Sequence, residues 1–257
     1  MNPRPPQVLC CSGHDPSGGA GLQADLEALA AQGVHGLSLI TALTAQDTHD
    51  VQAVYPVAAA RLARIGARLL ADCRPQAVKI GLLGHARQVP VLARLIRACG
   101  VPVVLDPVLR AGGGRDLAGA ALQAALLESL LPLTTVLTPN LQEALRLVPE
   151  AADADAAAAA LLARGCTHVL VTGGDEPGAR VRNVWYHAGG RQVFDWPRLD
   201  ARFHGAGCTL AAGIAARLAL GDAVGDALLR AQQATQAMLA RAVAVGHGRL
   251  IPGRRPA

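Results

Sequence analysis

Short apolar runs alternate with longer stretches of helical period through most of the chain. Val8 to Cys11, Leu37 to Leu43, Ala77 to Ile80, Val103 to Leu105, Thr135 to Leu137 and His168 to Val171 have the length and bounds of buried strands. Between them, Leu22 to Gln32, Val57 to Leu70, Val89 to Cys99, Leu117 to Leu131, Leu141 to Leu147 and Asp153 to Arg164 read as helices. Alternation of this kind predicts right-handed βαβ units, hence an α/β fold with a mostly parallel sheet covered by helices on both faces. In such sheets ligands bind at the carboxyl ends of the strands.

From Val181 to Trp196 the pattern changes to two strand-like runs around Ala188-Gly189-Gly190, which predicts a β-hairpin, and only helices are expected after it. The alanine-rich stretch Ala151 to Ala160 is low in complexity, but alanine is the best helix former, so it reads as a surface helix rather than a linker. No repeat and no domain boundary is visible. Residues 1–257 therefore read as one domain.

Composition narrows the function classes. With 51% hydrophobic and 17% charged residues the chain is globular rather than disordered. Its net charge of +5 comes almost wholly from scattered arginines, Lys79 being the only lysine, and aromatics make up 2%, so nucleic-acid binding is not expected. The six cysteines form no C-x-x-C pair and have no zinc spacing, which predicts reduced thiols in a cytoplasmic protein. No apolar run reaches the length of a membrane span, and the run near the N-terminus is too brief for a signal peptide.

Several segments at predicted strand ends carry candidate chemistry. Cys11-Ser12-Gly13-His14-Asp15-Pro16-Ser17-Gly18-Gly19-Ala20-Gly21 links the first strand to a helix; it is neither a P-loop nor G-x-G-x-x-G, and reads as a tight turn or as the wall of a small-molecule pocket. Asp25 lies early on the next helix, where a carboxylate also complements the helix dipole. Gln46 offers an amide suited to a heterocycle edge, and Asp106 ends a strand at the same side of the sheet. Asn140 and Glu143 form either a capping box or a magnesium and phosphate station. Thr172-Gly173-Gly174-Asp175 closes a strand with a turn that can approach a nucleotide. His204-Gly205-Ala206-Gly207-Cys208-Thr209 runs into an apolar helix, so its free N–H groups suit an anion, and a helix N-terminus favours a thiolate at Cys208. His14, His35, His49, His85, His168 and His187 show no metal spacing and read as structural or solvated.

In this order the segments resemble the hydroxymethylpyrimidine/phosphomethylpyrimidine kinase family of thiamine biosynthesis, within the ribokinase-like superfamily. The resemblance runs from about Val8 to Gly248 and includes Thr41 to Gln46, Lys79 to Gly81, Leu105 to Val108, Thr138 to Ala144 and Val245 to Gly248. It implies a ribokinase-like three-layer α/β/α fold, ATP as co-substrate with Mg²⁺, and an aminopyrimidine alcohol and its monophosphate as substrates. It further implies that Asp25 meets the hydroxymethyl end of the substrate and Gln46 the aminopyrimidine edge, with Val108 supplying a backbone contact and Gly13 also at the substrate. Asn140, Glu143, Asp106, Thr172 and Gly174 would serve Mg-ATP, with Mg²⁺ at Glu143 and Asp106. Gly205, Ala206, Gly207 and Cys208 would form the catalytic anion hole, Cys208 standing where superfamily relatives usually carry an Asp base. A homodimer is expected from the same resemblance.

The chain departs from the family in two places. It has Thr172-Gly173-Gly174 and Arg110-Ala111-Gly112-Gly113-Gly114 where relatives often carry phosphate-facing lysines, which leaves the second phosphorylation less secure than the first. The rival readings are a pyridoxal or pyridoxine kinase, and a pyrimidine-binding regulator without catalysis.

Overall fold

The computed structural model describes residues 4–110 and 114–255. Strands β1 (Gln7–His14), β2 (His35–Gln46), β3 (Val51–Pro56), β4 (Ala77–Ile80), β5 (Val103–Leu105), β6 (Val136–Leu137), β7 (His168–Val171), β8 (Arg180–His187) and β9 (Gly190–Pro197) form one sheet in the order β3-β2-β1-β4-β5-β6-β7-β8-β9. From β2 to β7 every pairing is parallel, and antiparallel strands extend both edges. The chain steps from β1 out to β2 and then returns to place β4 on β1's other side. That reversal opens a crevice at the carboxyl ends of β1 and β4.

Helices α1 (Gly21–Ala30), α7 (Ala206–Ala219) and α8 (Val224–Ala240) cover one face. Helices α2 (Ala59–Asp72), α3 (Val89–Cys99), α4 (Ala120–Ala125), α5 (Leu141–Leu147) and α6 (Ala154–Ala163) cover the other. The central strands read as continuous apolar runs because each face is buried: in β1, Leu9 and Cys11 pack with the α2–α6 layer while Val8 and Cys10 pack with the α1 and α7 layer. The same alternation turns Lys79 of β4 towards α1 and α7. The helices begin and end where local chemistry directs: Gly100 closes α3 in the left-handed conformation at φ 62°, and Asp153 accepts from the Ala156 N–H at the start of α6.

This architecture bears out the predicted three-layer α/β/α fold, with four departures. Strand β3 was not expected, because Val51 to Pro56 pairs with the exposed edge of β2 and so lacks a buried apolar run. Strand β2 runs on to Gln46, which ends the strand rather than following it. The predicted helix from Leu117 to Leu131 is broken into α4, a π-helical turn at Leu126–Leu130 and a 3₁₀ turn at Leu131–Leu133, where Pro132 removes a donor. Finally, the segment after α8 is not helical: Leu250 bridges Phe203 and Ile251 bridges Val243, so the tail returns across the fold as an extended strap.

Candidate active site

A cavity of about 680 Å³ lies over the carboxyl ends of the parallel strands. Gly13 and Gln46 come to it from β1 and β2, Asp106 and Val108 from the end of β5, Asn140 and Glu143 from the β6 to α5 turn, Thr172 and Gly174 from the end of β7, and Gly205 to Cys208 from the start of α7. Helix α7 packs across β1, β4 and β5, so its N-terminus stands between the β2 side of the cavity and the β6 and β7 side. A second hollow, of about 490 Å³, lies at the opposite ends of the strands beside Gln7 and Gln76 and gathers none of these residues.

The turn before α7 owes its shape to glycine. Gly205 is the N-cap at φ 81°, and a Cβ there would overlap the Gly19 carbonyl oxygen, so the two glycine-rich loops touch backbone to backbone. Nothing on a side chain caps α7, which leaves its first N–H groups facing the cavity. Across the same seam, His204 Nε2 lies 2.8 Å from Asp15 Oδ2, and Asp15 also accepts from Ser17 and from the Ala20 N–H. Burial raises the Asp15 carboxyl, but these hydrogen bonds outweigh it and hold the group below its ordinary range.

Of the site residues read from sequence, only Asp25 does not line the cavity. It is fully buried, 2.8 Å from Lys79 Nζ, and accepts from Ser12 Oγ at 2.5 Å. The expected contact of Asp25 with the substrate's hydroxymethyl end thus has no place on this cavity wall: the carboxylate meets Lys79 of β4 and Ser12 of β1 instead. Lys79 also lies 3.9 Å from Asp106. Burial works against its charge, yet the carboxylates of Asp25 and Asp106 keep the ammonium charged.

The expected thiolate at Cys208 is corrected as well. Burial pushes the thiol up to about 12, with the negative charges of Asp106 and Asp25 acting in the same direction, against the pull of Lys79 and the Gly21 N–H. The helix N-terminus does not overcome desolvation here.

Asn140 and Glu143 form a full capping box: the Glu143 N–H donates to Asn140 Oδ1 at 2.8 Å, and the Asn140 N–H donates to Glu143 Oε2 at 3.1 Å. Glu143 Oε1 accepts from the Leu109 N–H, and Asn140 Nδ2 donates to Asp175. Desolvation, then the nearby charge of Asp106, raises the Glu143 carboxyl to about 8. Burial likewise raises Asp106. The capping role and a place on the cavity wall thus coexist. Asp106 and Glu143, the charge of the first raising the second, form a hard-oxygen pair suited to Mg²⁺ completed by phosphate oxygens; among the described residues no larger His, Cys, Asp or Glu cluster could hold a metal.

Sequence reasoning missed other parts of the wall. Asn183 Nδ2 and Trp196 Nε1 both donate to Gln232 Oε1, at 2.9 and 3.0 Å, and all three residues line the cavity. Asn183 also accepts from the Gly173 N–H. Its polar side chain on the sheet face that packs with α8 was a legible signal. Arg198 donates to the carbonyls of Gly173, Gly174, Glu176 and Gly178, which fixes the turn after β7 but spends the guanidinium inward. Arg110, Arg202 and Arg249 also line the cavity, whereas residues 111–113 of the lysine-lacking stretch lie outside the described residues.

A family profile described as phosphomethylpyrimidine kinase matches residues 15–252. The chain is 37% identical over 250 residues to a hydroxymethylpyrimidine/phosphomethylpyrimidine kinase of Rhizobium meliloti, covering 94% of each protein. In structure it is similar to the pyridoxal kinase of Bacillus subtilis in an ADP complex, with a TM-score of 0.89, 29% identity and 98% of each chain covered. It is also similar to a phosphomethylpyrimidine kinase of Clostridium difficile, with a TM-score of 0.77, 29% identity, and 89% of this chain and 96% of that one covered.

Proposed function

The chain belongs to the phosphomethylpyrimidine kinase family and is a phosphotransferase; from that premise we propose that it moves the γ-phosphoryl of ATP to the primary alcohol of 4-amino-5-hydroxymethyl-2-methylpyrimidine, then a second phosphoryl to the monophosphate, in thiamine biosynthesis. The observation that carries this reading is the single cavity in which the uncapped start of α7 stands between Gln46 on one side and Asn140, Glu143 and Thr172 on the other. We read residues 1–257 as one kinase domain working in the cytoplasm; no helix among the described residues is long and apolar enough to cross a membrane.

In this reading the pyrimidine lies against Gly13, Gln46 and Val108, and ATP against Asn140, Thr172, Gly174 and the Asn183, Trp196 and Gln232 set. The N–H groups of Gly205 to Cys208 stabilise the transferring phosphoryl, whose loose transition state asks for positioning and charge neutralisation more than covalent chemistry. Asp106 and Glu143 would hold Mg²⁺, which supplies charge neutralisation on the phosphate oxygens when bound. Lys79 stays behind the thiol as a buried, charged partner of Asp25. Arg110, Arg202 and Arg249 supply the positive charge at the mouth that the absent lysines would have given, which favours a substrate already carrying one phosphate.

The homodimer expectation finds support in Leu43 and Tyr55, a cross-strand pair at the β2–β3 edge whose side chains are exposed. Likeness to solved pyridoxal kinases favours one second reading, pyridoxal phosphorylation in the same cavity. The deciding experiment incubates the purified protein with Mg-ATP and either the pyrimidine alcohol or pyridoxal and follows products by mass spectrometry. Monophosphate and diphosphate of the pyrimidine are expected; phosphorylation of pyridoxal alone would overturn the reading, and binding without turnover would favour the regulator.

A further inference from the structure

Arg254 is one of the largest fully buried side chains in the protein, with 1% exposure, and it lies beyond the 15–252 segment shared with the family. Its Nε donates to Thr209 Oγ1 at 2.9 Å, and its terminal nitrogens donate to the carbonyls of Gly18 and Gly19. Glu27 of α1 lies 3.5 Å away. Thr209 Oγ1 in turn donates to the Gly205 carbonyl at 2.7 Å. One guanidinium therefore grips the first glycine-rich loop, α1 and the first turn of α7.

The arrangement matters because at Gly205 the two glycine-rich loops meet backbone to backbone, with no side chain between them to set their spacing. A Cβ on Gly205 would overlap the Gly19 carbonyl, and one on Gly19 would overlap the His204 ring. What holds the loops in register must act away from that backbone contact. The Asp15 and His204 pair does so at one place, and Arg254 does so at another. The strap delivers Arg254 there: the Gly253 N–H donates to the Met238 carbonyl at 2.9 Å, and Arg241 donates to the Gly253 carbonyl at 3.0 Å. Burying a guanidinium costs several kcal/mol unless its donors are used, and here they are spent on carbonyls of the seam.

We propose that Arg254 is a positioning residue for phosphoryl transfer: it fixes the Gly205 to Cys208 turn against the first glycine-rich loop and sets a buried positive charge behind the N–H groups that face the transferring phosphate. The inference rests on reading that turn as the anion site. It also assigns a role to the tail beyond Gly248, where the motifs that carry the resemblance end. The carbonyl dipoles of Gly18 and Gly19 would otherwise stand unneutralised beside an anion.

The test compares Arg254→Met and Arg254→Lys with the wild type in kinetics, thermal unfolding and calorimetry. Arg254→Met should lose about a hundredfold in kcat, with KM for alcohol and ATP moved by less than about threefold, because a displacement of about 1 Å at the reacting centre costs that much. Affinity for ADP alone should hold, while the gain in affinity when ADP is combined with aluminium fluoride, a mimic of the transferring phosphoryl, should be lost. Arg254→Lys should recover part of kcat, since it keeps the charge but cannot serve all three acceptors. If Arg254→Met does not fold, Thr209→Val carries the test, cutting the link to the Gly205 carbonyl, with a fall in kcat of about fivefold or more at unchanged KM. A folded Arg254→Met whose kcat and fluoride-dependent affinity both match the wild type would overturn the inference. Absence of turnover in the wild type would instead count against the proposed function, and the ADP and fluoride measurement would still decide the role of Arg254.

Discussion

Asp25 and Lys79 form an ion pair at 2.8 Å in which both side chains are wholly inaccessible to solvent. Removing one partner leaves an uncompensated charge in the interior, which costs about 3–5 kcal/mol. Asp25→Asn and Lys79→Met are each expected to lower the free energy of unfolding by that order, and the double variant to be less destabilised than the sum of the two. A double-mutant cycle by urea unfolding checks this. Additive losses would show that the pair is not coupled.

Cys208 is expected to react as a thiol, not a thiolate. With the group at about 12, only about one molecule in ten thousand carries the thiolate at pH 8. Between pH 7 and pH 9 kcat should show no tenfold rise per unit, alkylation by iodoacetamide should be slow, and Cys208→Ser should keep kcat within about tenfold of the wild type. A log-linear rise in kcat that the serine variant abolishes would restore the thiolate base.

Why the site was legible while its supports were not follows from where each signal lives. Gly205, Asn140 and Gln46 announce themselves locally: a glycine run opening an apolar helix, an N-cap spacing and an amide at a strand end. Asp25 was expected at the ligand through the resemblance, and its position in the sequence gives only its place on α1; that its carboxylate meets Lys79 of β4 depends on which way the sheet alternation turns residue 79. Cys208 misled for a similar reason, since a helix N-terminus is visible in sequence and the desolvation that outweighs it is not. The strap and Arg254 left no periodic trace, because an irregular segment gains its order from 236 and 235 residues away, at Gly18 and Gly19. Strand β3 was hidden likewise: an edge strand exposed on one side carries a weak apolar pattern.

Gln46 should govern affinity for the pyrimidine without touching ATP. Its Nε2 donates to Thr44 Oγ1 at 2.7 Å, which orients the amide at the cavity wall and leaves its oxygen for a ligand donor. Gln46→Leu removes that acceptor and is expected to weaken the aminopyrimidine about tenfold, the worth of roughly one hydrogen bond in a partly dry site. Calorimetry with the pyrimidine alcohol and, separately, with ADP distinguishes the outcomes. Unchanged pyrimidine affinity, or an equal loss for ADP, would reject the assignment.

Glu143 makes stability and metal affinity depend on pH in opposite directions. Its carboxyl rises from 4.5 to about 8 in the fold, first through desolvation and then through Asp106. A raised folded value means that the native state binds the proton more tightly than the unfolded chain, so this contribution to stability is complete below pH 4.5 and is lost as pH rises to about 8. The metal-free protein should therefore unfold at progressively lower urea between those limits, and Glu143→Gln should flatten that part of the profile. Mg²⁺ binding competes with the same proton: in the presence of ADP its affinity should climb from pH 6 to pH 8, by up to about tenfold per unit, and then level off. Heats of Mg-ADP binding measured in buffers of different ionisation enthalpy should report proton release near pH 7 in the wild type and none in Glu143→Gln. Equal proton release in both proteins would mean that another group, Asp106 first among them, carries the linkage.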